Sequence, residues 1–322
     1  MPSSLSSFRP APARPSARAL ALFGALWLGA GGCLPGDQRP APGVVTVRIV
    51  GPEGLEARVP FTTDDGWAVT FDRVLVASFG VQESYSLNDL GGPEAGVGAD
   101  CERYYDTSMV ALYDLVAPGE KSLGRFAGLG ECSFSVNWGW STRPFDVLGP
   151  GVTQEDVTRV VTPTGGLSDE LPVLSVVGVA SKAGTSKSFT LPVSRFEGPC
   201  GSLGGRLLAR LVEAGSLDLP ITLHPERLLL DHAQLSMARS RFGPLAEADD
   251  LGDGDGAVTR EEVAARGLDQ LADARGAYTL PLGGVSPVFP PPEDVAAPRV
   301  SLLDFLGLQA HYVFSEGEDD LC

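Results

Sequence analysis

The chain has 322 residues, with 41 Asp and Glu against 24 Lys and Arg and a formal net charge of −17. That excess repels phosphate backbones and anionic headgroups, which excludes nucleic-acid binding and a polybasic membrane contact and makes cations its natural small partners. The length accommodates one large β-rich domain or two domains.

The chain opens with Arg9, Arg14 and Arg18 and no acid, followed by the apolar run ALALFGALWLGAGG and then Cys33. At about fourteen residues the run is shorter than the roughly twenty that a membrane-crossing helix needs. The order basic, apolar, small is that of a cleaved secretory signal over residues 1–32. The thiol directly after Ala30-Gly31-Gly32 resembles the lipobox of bacterial lipoproteins, with Ala30 where that family usually has leucine. The resemblance implies acylation of Cys33 and attachment to a membrane through that lipid. Leu34, which is not an acid, implies the outer membrane. Residues 33–43, rich in Pro and Gly, read as a flexible tether.

From residue 44 to 220 the pattern is that of a β-sandwich, with short β-branched and apolar stretches separated by Gly, Pro, Asp and Ser clusters. The first are VVTVRIV and WAVTFDRVLVASFGVQ. Val69, Phe71, Val74 and Val76 cannot share one strict period in the second, so a bulge is expected near Asp72. MVALYDL, CSFSVNW, PVLSVVGVA, SKSFTLPV, RLLARLV and LPITL follow, and VAPGEKSLGRFAGLG reads as a separator. SKAGTS should close a hairpin at Ala183-Gly184. TQEDVTRVV is the one helical interruption, with Thr153 and Asp156 in capping positions. In an exported chain, Cys101, Cys132, Cys200 and Cys322 form an even set for disulfides. Several pairings are open, and the local choice joins Cys101 to Cys132 and Cys200 to Cys322. Trp67, Trp138 and Trp140, with Tyr104 and Tyr105, could line a ligand face, although core burial is the expected fate of Trp67.

Residues 221–322 read as a smaller helix-containing part packed on the sandwich. EEVAARGLDQLADA and SLLDFLGLQAHYVF have helical spacing, and the second opens with Ser301 and Asp304 in capping positions. The proline-rich PLGGVSPVFPPPEDVAAP between them should run extended. MARSRFGPLAEA, with Pro244 in its middle, gives no clean helix. Next comes DDLGDGDGAVTREEV. A twelve-position calcium loop needs acids at 1, 3 and 5, glycine at 6, a carbonyl at 7 and a bidentate glutamate at 12. With Gly256 sixth, Asp253, Asp255, Ala257, Thr259 and Glu262 fall third, fifth, seventh, ninth and twelfth. Leu251 falls first, and a bulge at Leu251-Gly252 would bring Asp250 into that place. The stretch resembles the isolated EF-hand-like or dockerin-like loops of secreted bacterial proteins, which implies one structural Ca²⁺.

His224, His232 and His311 are an alternative set for a transition metal such as copper or zinc. No nucleophile or metalloprotease motif occurs, so an enzyme is not the expectation. The sequence therefore points to an exported, lipid-anchored, non-enzymatic envelope protein with one calcium site and a protein or glycan partner. A copper or zinc carrier is the second reading, and a secreted hydrolase with an unrecognised carboxylate site the third.

Overall fold

A computed structural model describes residues 39–83, 101–138, 144–161, 172–194, 206–232, 238–271 and 301–313. Chain contacts separate Met1–Pro40 from Ala41–Cys322, and every element below belongs to the second unit. In chain order these are β1 Gly43–Val50, β2 Phe61–Thr62, β3 Ala68–Glu83, β4 Glu102–Ser108, β5 Ala111–Asp114, β6 Ser122–Trp138, β7 Val147–Leu148 and α1 Gln154–Val161. There follow β8 Pro172–Lys182, β9 Thr185–Ser194, β10 Arg206–Leu211, β11 Ser216–Thr222, α2 Gly243–Asp250, β12 Ala257–Val258, α3 Arg260–Ala265 and α4 Leu302–Val313. The protein is mainly β, sandwich-like, with a small helical C-terminal part.

One sheet runs β11–β1–β6–β4 and the other β10–β6–β3–β8–β9–β12, with β2 and β5 also against β3. β6 belongs to both: Ser122–Leu129 pairs with β1 and β4, and Gly130–Trp138 with β10 and β3. Glycine lets it do so. Gly124 and Gly130 have φ of +133° and +92°, and a Cβ on Gly124 would lie 2.2 Å from the Thr107 carbonyl oxygen on β4. These glycines let SLGRFAGLG, part of the stretch expected to separate strands, form the first half of one instead. β4 was not expected at all. Its sequence ERYYDTS has no apolar alternation, and it is held by β6 and by the disulfide Cys101–Cys132, whose Cα atoms are 4.8 Å apart. Cys200 and Cys322, like Cys33, lie outside the described residues.

Period-two alternation builds the core. Val45, Val47 and Ile49 of β1 point inward at 0–2% exposure, each contributing on the order of 1.5–3 kcal/mol by burial. In β3 the register against β8 shifts between Phe71 and Arg73, leaving Asp72 exposed at the expected bulge. The shift puts Val69, Phe71, Val74 and Val76 in one core. Leu75 and Ala77 then face the other way, into a smaller cluster with Leu112 and with Val160 of α1. α1 starts as expected, Asp156 N–H donating to Thr153 Oγ1 at 3.2 Å and Thr153 N–H to Asp156 Oδ2 at 2.8 Å. The β8–β9 hairpin turns on Ala183 and Gly184, both at positive φ, the requirement of a two-residue turn whose twist matches its strands.

The C-terminal part has no apolar core apart from the sheets among the described residues. Phe242, Leu245, Val258, Val263, Phe305, Leu306 and Val313 belong to the same buried cluster as the strands. Trp67 and Trp138 are in it too, 7% and 4% exposed, so Trp138 does not line a ligand face. Trp140 lies outside the described residues, and Tyr105 is exposed.

Candidate metal centre

The acidic loop hangs between α2 and α3, and its position begins with α2. Pro244 does not break this helix, because it stands in the first turn, where a backbone N–H has no intrahelical acceptor to lose. The orphan donors there are met from far away: Asp65, in the turn before β3, accepts from Phe242 N–H at 3.1 Å and Gly243 N–H at 2.7 Å. The buried face of α2 carries Leu245, Ala246, Ala248 and Asp249. Asp249 stands four residues after Leu245, on the same stripe.

Beyond α2 the chain reverses through Gly254 and Gly256, at φ of +68° and +89°, a conformation that disfavours side chains. The carboxylates are tied to the loop's own backbone. Asp253 Oδ1 accepts from Asp255 N–H at 3.1 Å, Asp255 Oδ1 from Ala257 N–H at 2.7 Å, and Asp249 Oδ1 from Gly256 N–H at 3.3 Å. Asp249, Asp253 and Asp255 each offer an oxygen within 4.8 Å of the others, with Asp249 buried and the other two exposed. Like charges about 4 Å apart repel by about 1 kcal/mol in bulk water and about 4 kcal/mol near a protein surface. The loop leaves toward α3 through β12, which runs parallel to β9 with Ala257 opposite Ser188 and Val258 opposite Phe189. Val258, 1% exposed, plugs the loop into the core.

Of the expected ligands, Asp253 and Asp255 are in this group, but Asp250 is not. The buried Asp249 stands with them instead, because the last turn of α2 continues through it and turns Asp250 outward, where it is 65% exposed. Glu262 is occupied as a helix cap. Its Oε2 accepts from Thr259 N–H and Oγ1, both at 2.9 Å, and its Oε1 from Asp253 N–H at 3.3 Å. Thr259 and Glu262 are therefore bound to each other, beside the acidic group rather than within it. Ala257 stands on β12 at the loop's exit.

One participant escaped the sequence reading altogether. Lys187 of β9 is 5% exposed, and its Nζ donates to Asp249 Oδ2 and, at 2.5 Å, to Asp250 Oδ1. Burial alone would lower its pKa, but the hydrogen bonds and charges of Asp249 and Asp250 outweigh this and hold it above the ordinary lysine value. The signal was present: Lys187 is in phase with Phe189, Leu191 and Val193, all inward, so the alternation demanded a buried cation and hence an anion opposite it.

The histidines are placed differently. His224 Nδ1 lies 2.8 Å from Glu226 Oε1, and the His224 backbone N–H donates to the Val313 carbonyl at the end of α4, the helix that bears His311. The side chain of His311 lies outside the described residues. Among the described residues, no group of metal-ligating side chains includes His224 or His232. Comparison of the chain with family models, curated proteins and solved structures finds no match.

Proposed function

We propose that the chain is an exported, lipid-anchored envelope protein without catalytic activity, which presents its β body to a protein or glycan partner and uses one calcium ion to stiffen the loop between α2 and α3. The observation that carries the calcium reading is the convergence of Asp249, Asp253 and Asp255 on one short, glycine-jointed loop. Hard oxygens in a flexible arrangement suit Ca²⁺ better than a softer transition metal. Ala257 and Glu262, expected to add oxygens, stand at the exit of the same loop, where Glu262 caps α3 beside the acidic group. Export is supported by the residues 1–32 signal pattern and by the Cys101–Cys132 bridge, which suits an oxidising compartment.

Metal analysis and thermal melting of the mature protein test the calcium reading. Extracellular calcium modules have Kd on the order of 10⁻⁴ to 10⁻³ M, so 10 mM calcium, at roughly 10–100 times Kd, should add about 1.4–2.7 kcal/mol. That corresponds to a rise in Tm of a few degrees, which Asp255→Ala should abolish. No rise, with no calcium retained, would discard it. For the anchor, Cys33→Ser should move the protein from the membrane fraction to the soluble exported fraction, and an unchanged distribution counts against acylation.

A further inference from the structure

We infer that Lys187 is the loop's resident cation: its ammonium holds the acidic loop against β9 with no metal present, so a divalent ion adds a second charge instead of being a condition of folding. The calcium arm of the experiment rests on the proposed function above; the inference about Lys187 does not.

The placement carries the argument. An ammonium on the inward row of a strand is stable only if an anion meets it, since an unpaired buried charge costs several kcal/mol. Asp249, 0% exposed, is that anion, and the two side chains join residues 62 apart in sequence. Asp249 and Asp250 are the last two residues of α2, so Lys187 also sits at a helix end where the aligned carbonyls favour positive charge. With Oδ2 of Asp249 held by Lys187, Oδ1 takes the Gly256 N–H. The same lysine thus orients the carboxylate that starts the loop. The residues after it complete the dock, because Ser188 N–H donates to the Gly256 carbonyl at 2.9 Å and Ser188 and Phe189 pair with β12.

On the loop's other flank, Arg266 Nη2 donates to the Leu251 carbonyl. Around the loop stand Asp249, Asp250, Asp253, Asp255, Glu261 and Glu262 against Lys187, Arg260 and Arg266. Acid remains in excess after both braces are counted, which leaves charge for a metal to meet.

The test compares the mature protein with its Lys187→Met and Lys187→Arg variants, melted in EDTA and in excess calcium. The wild type should lose only a few degrees in EDTA. Lys187→Met should melt on the order of 10 °C lower in EDTA, from an unpaired buried carboxylate in a domain of this size, and recover most of that loss in calcium. Lys187→Arg should stay near the wild type in EDTA.

A Lys187→Met protein that melts with the wild type in EDTA overturns the inference. So does a wild type that unfolds when calcium is stripped, or an arginine variant that falls as far as the methionine one. A loss in EDTA that calcium does not repair, in a protein whose wild type also ignores calcium, upholds the resident cation and removes the calcium reading. If Lys187→Met does not fold in either condition, the double variant Lys187→Met/Asp249→Leu, which buries no lone charge, replaces it. Fast amide exchange at Ala257 and Val258 in EDTA is then expected, and slow exchange there refutes the inference.

Discussion

Phe242→Ala should lower the free energy of unfolding by about 3–5 kcal/mol, the usual cost of removing a fully buried phenylalanine. The ring is 0% exposed and its centroid lies 5.2 Å from that of Trp67 and 5.4 Å from that of Phe189. Phe189 in turn meets Phe71 edge-on at 6.0 Å, and Phe71 stacks on Phe61 at 5.7 Å. The aromatic column therefore runs from β2 and β3 through β9 to the residue before α2. Phe242 is both its end and, through its N–H on Asp65, the place where α2 begins. Removing the ring opens a hole under the helix that carries Asp249, so calcium-dependent stabilisation should shrink along with stability. Urea unfolding with and without calcium measures both. A loss below about 1 kcal/mol would show that the ring does not anchor α2.

How much of this arrangement could be seen in the sequence depended on whether the signal was local. Alternation located β1, β8 and β9, and the broken period of Val69, Phe71, Val74 and Val76 located the bulge in β3, because each reports which face is buried within a few residues. Caps at Thr153 and Ser301 were equally legible. Ser301 Oγ does accept from Asp304 N–H, at 3.1 Å. What could not be seen was decided at a distance. β4 is a strand because β6 supplies its partner, and α2 starts cleanly because Asp65, far upstream, caps it.

The same limit applied to the acidic loop. Its glycines and clustered acids were legible in the sequence, but which of the adjacent Asp249 and Asp250 faces inward depended on α2 continuing through both. The helix also shortens where the sequence suggested a longer one: α3 ends at Ala265, and Gly267, in extended conformation, separates it from the turn Leu268–Gln270.

Gly178→Ala should be the most damaging small substitution in the second sheet, costing about 3 kcal/mol or more, at the upper end of overpacking effects. Gly178 sits mid-strand in β8, opposite Phe71 on β3 and Phe189 on β9. A Cβ there would lie 2.1 Å from the Thr70 carbonyl oxygen and 2.6 Å from the tip of the Phe189 ring. The ring could swing aside, though only into Phe242 and Phe71, while the carbonyl belongs to a strand paired on both sides. Phe189→Leu added to Gly178→Ala should therefore recover only part of the loss. Denaturation midpoints of the single and double variants measure this, and full recovery would show that the backbone contact yields freely.

A last consequence follows from the strand shared by the two sheets. Because the halves of β6 serve different neighbours, neither layer can peel off without stripping the other of a partner. The body then resists as a block, and a protease that finds no exposed loop to cut meets either every strand or none. For a protein proposed to live outside the cell, all-or-none opening of this kind would add to the constraint that the bridge between Cys101 and Cys132 supplies.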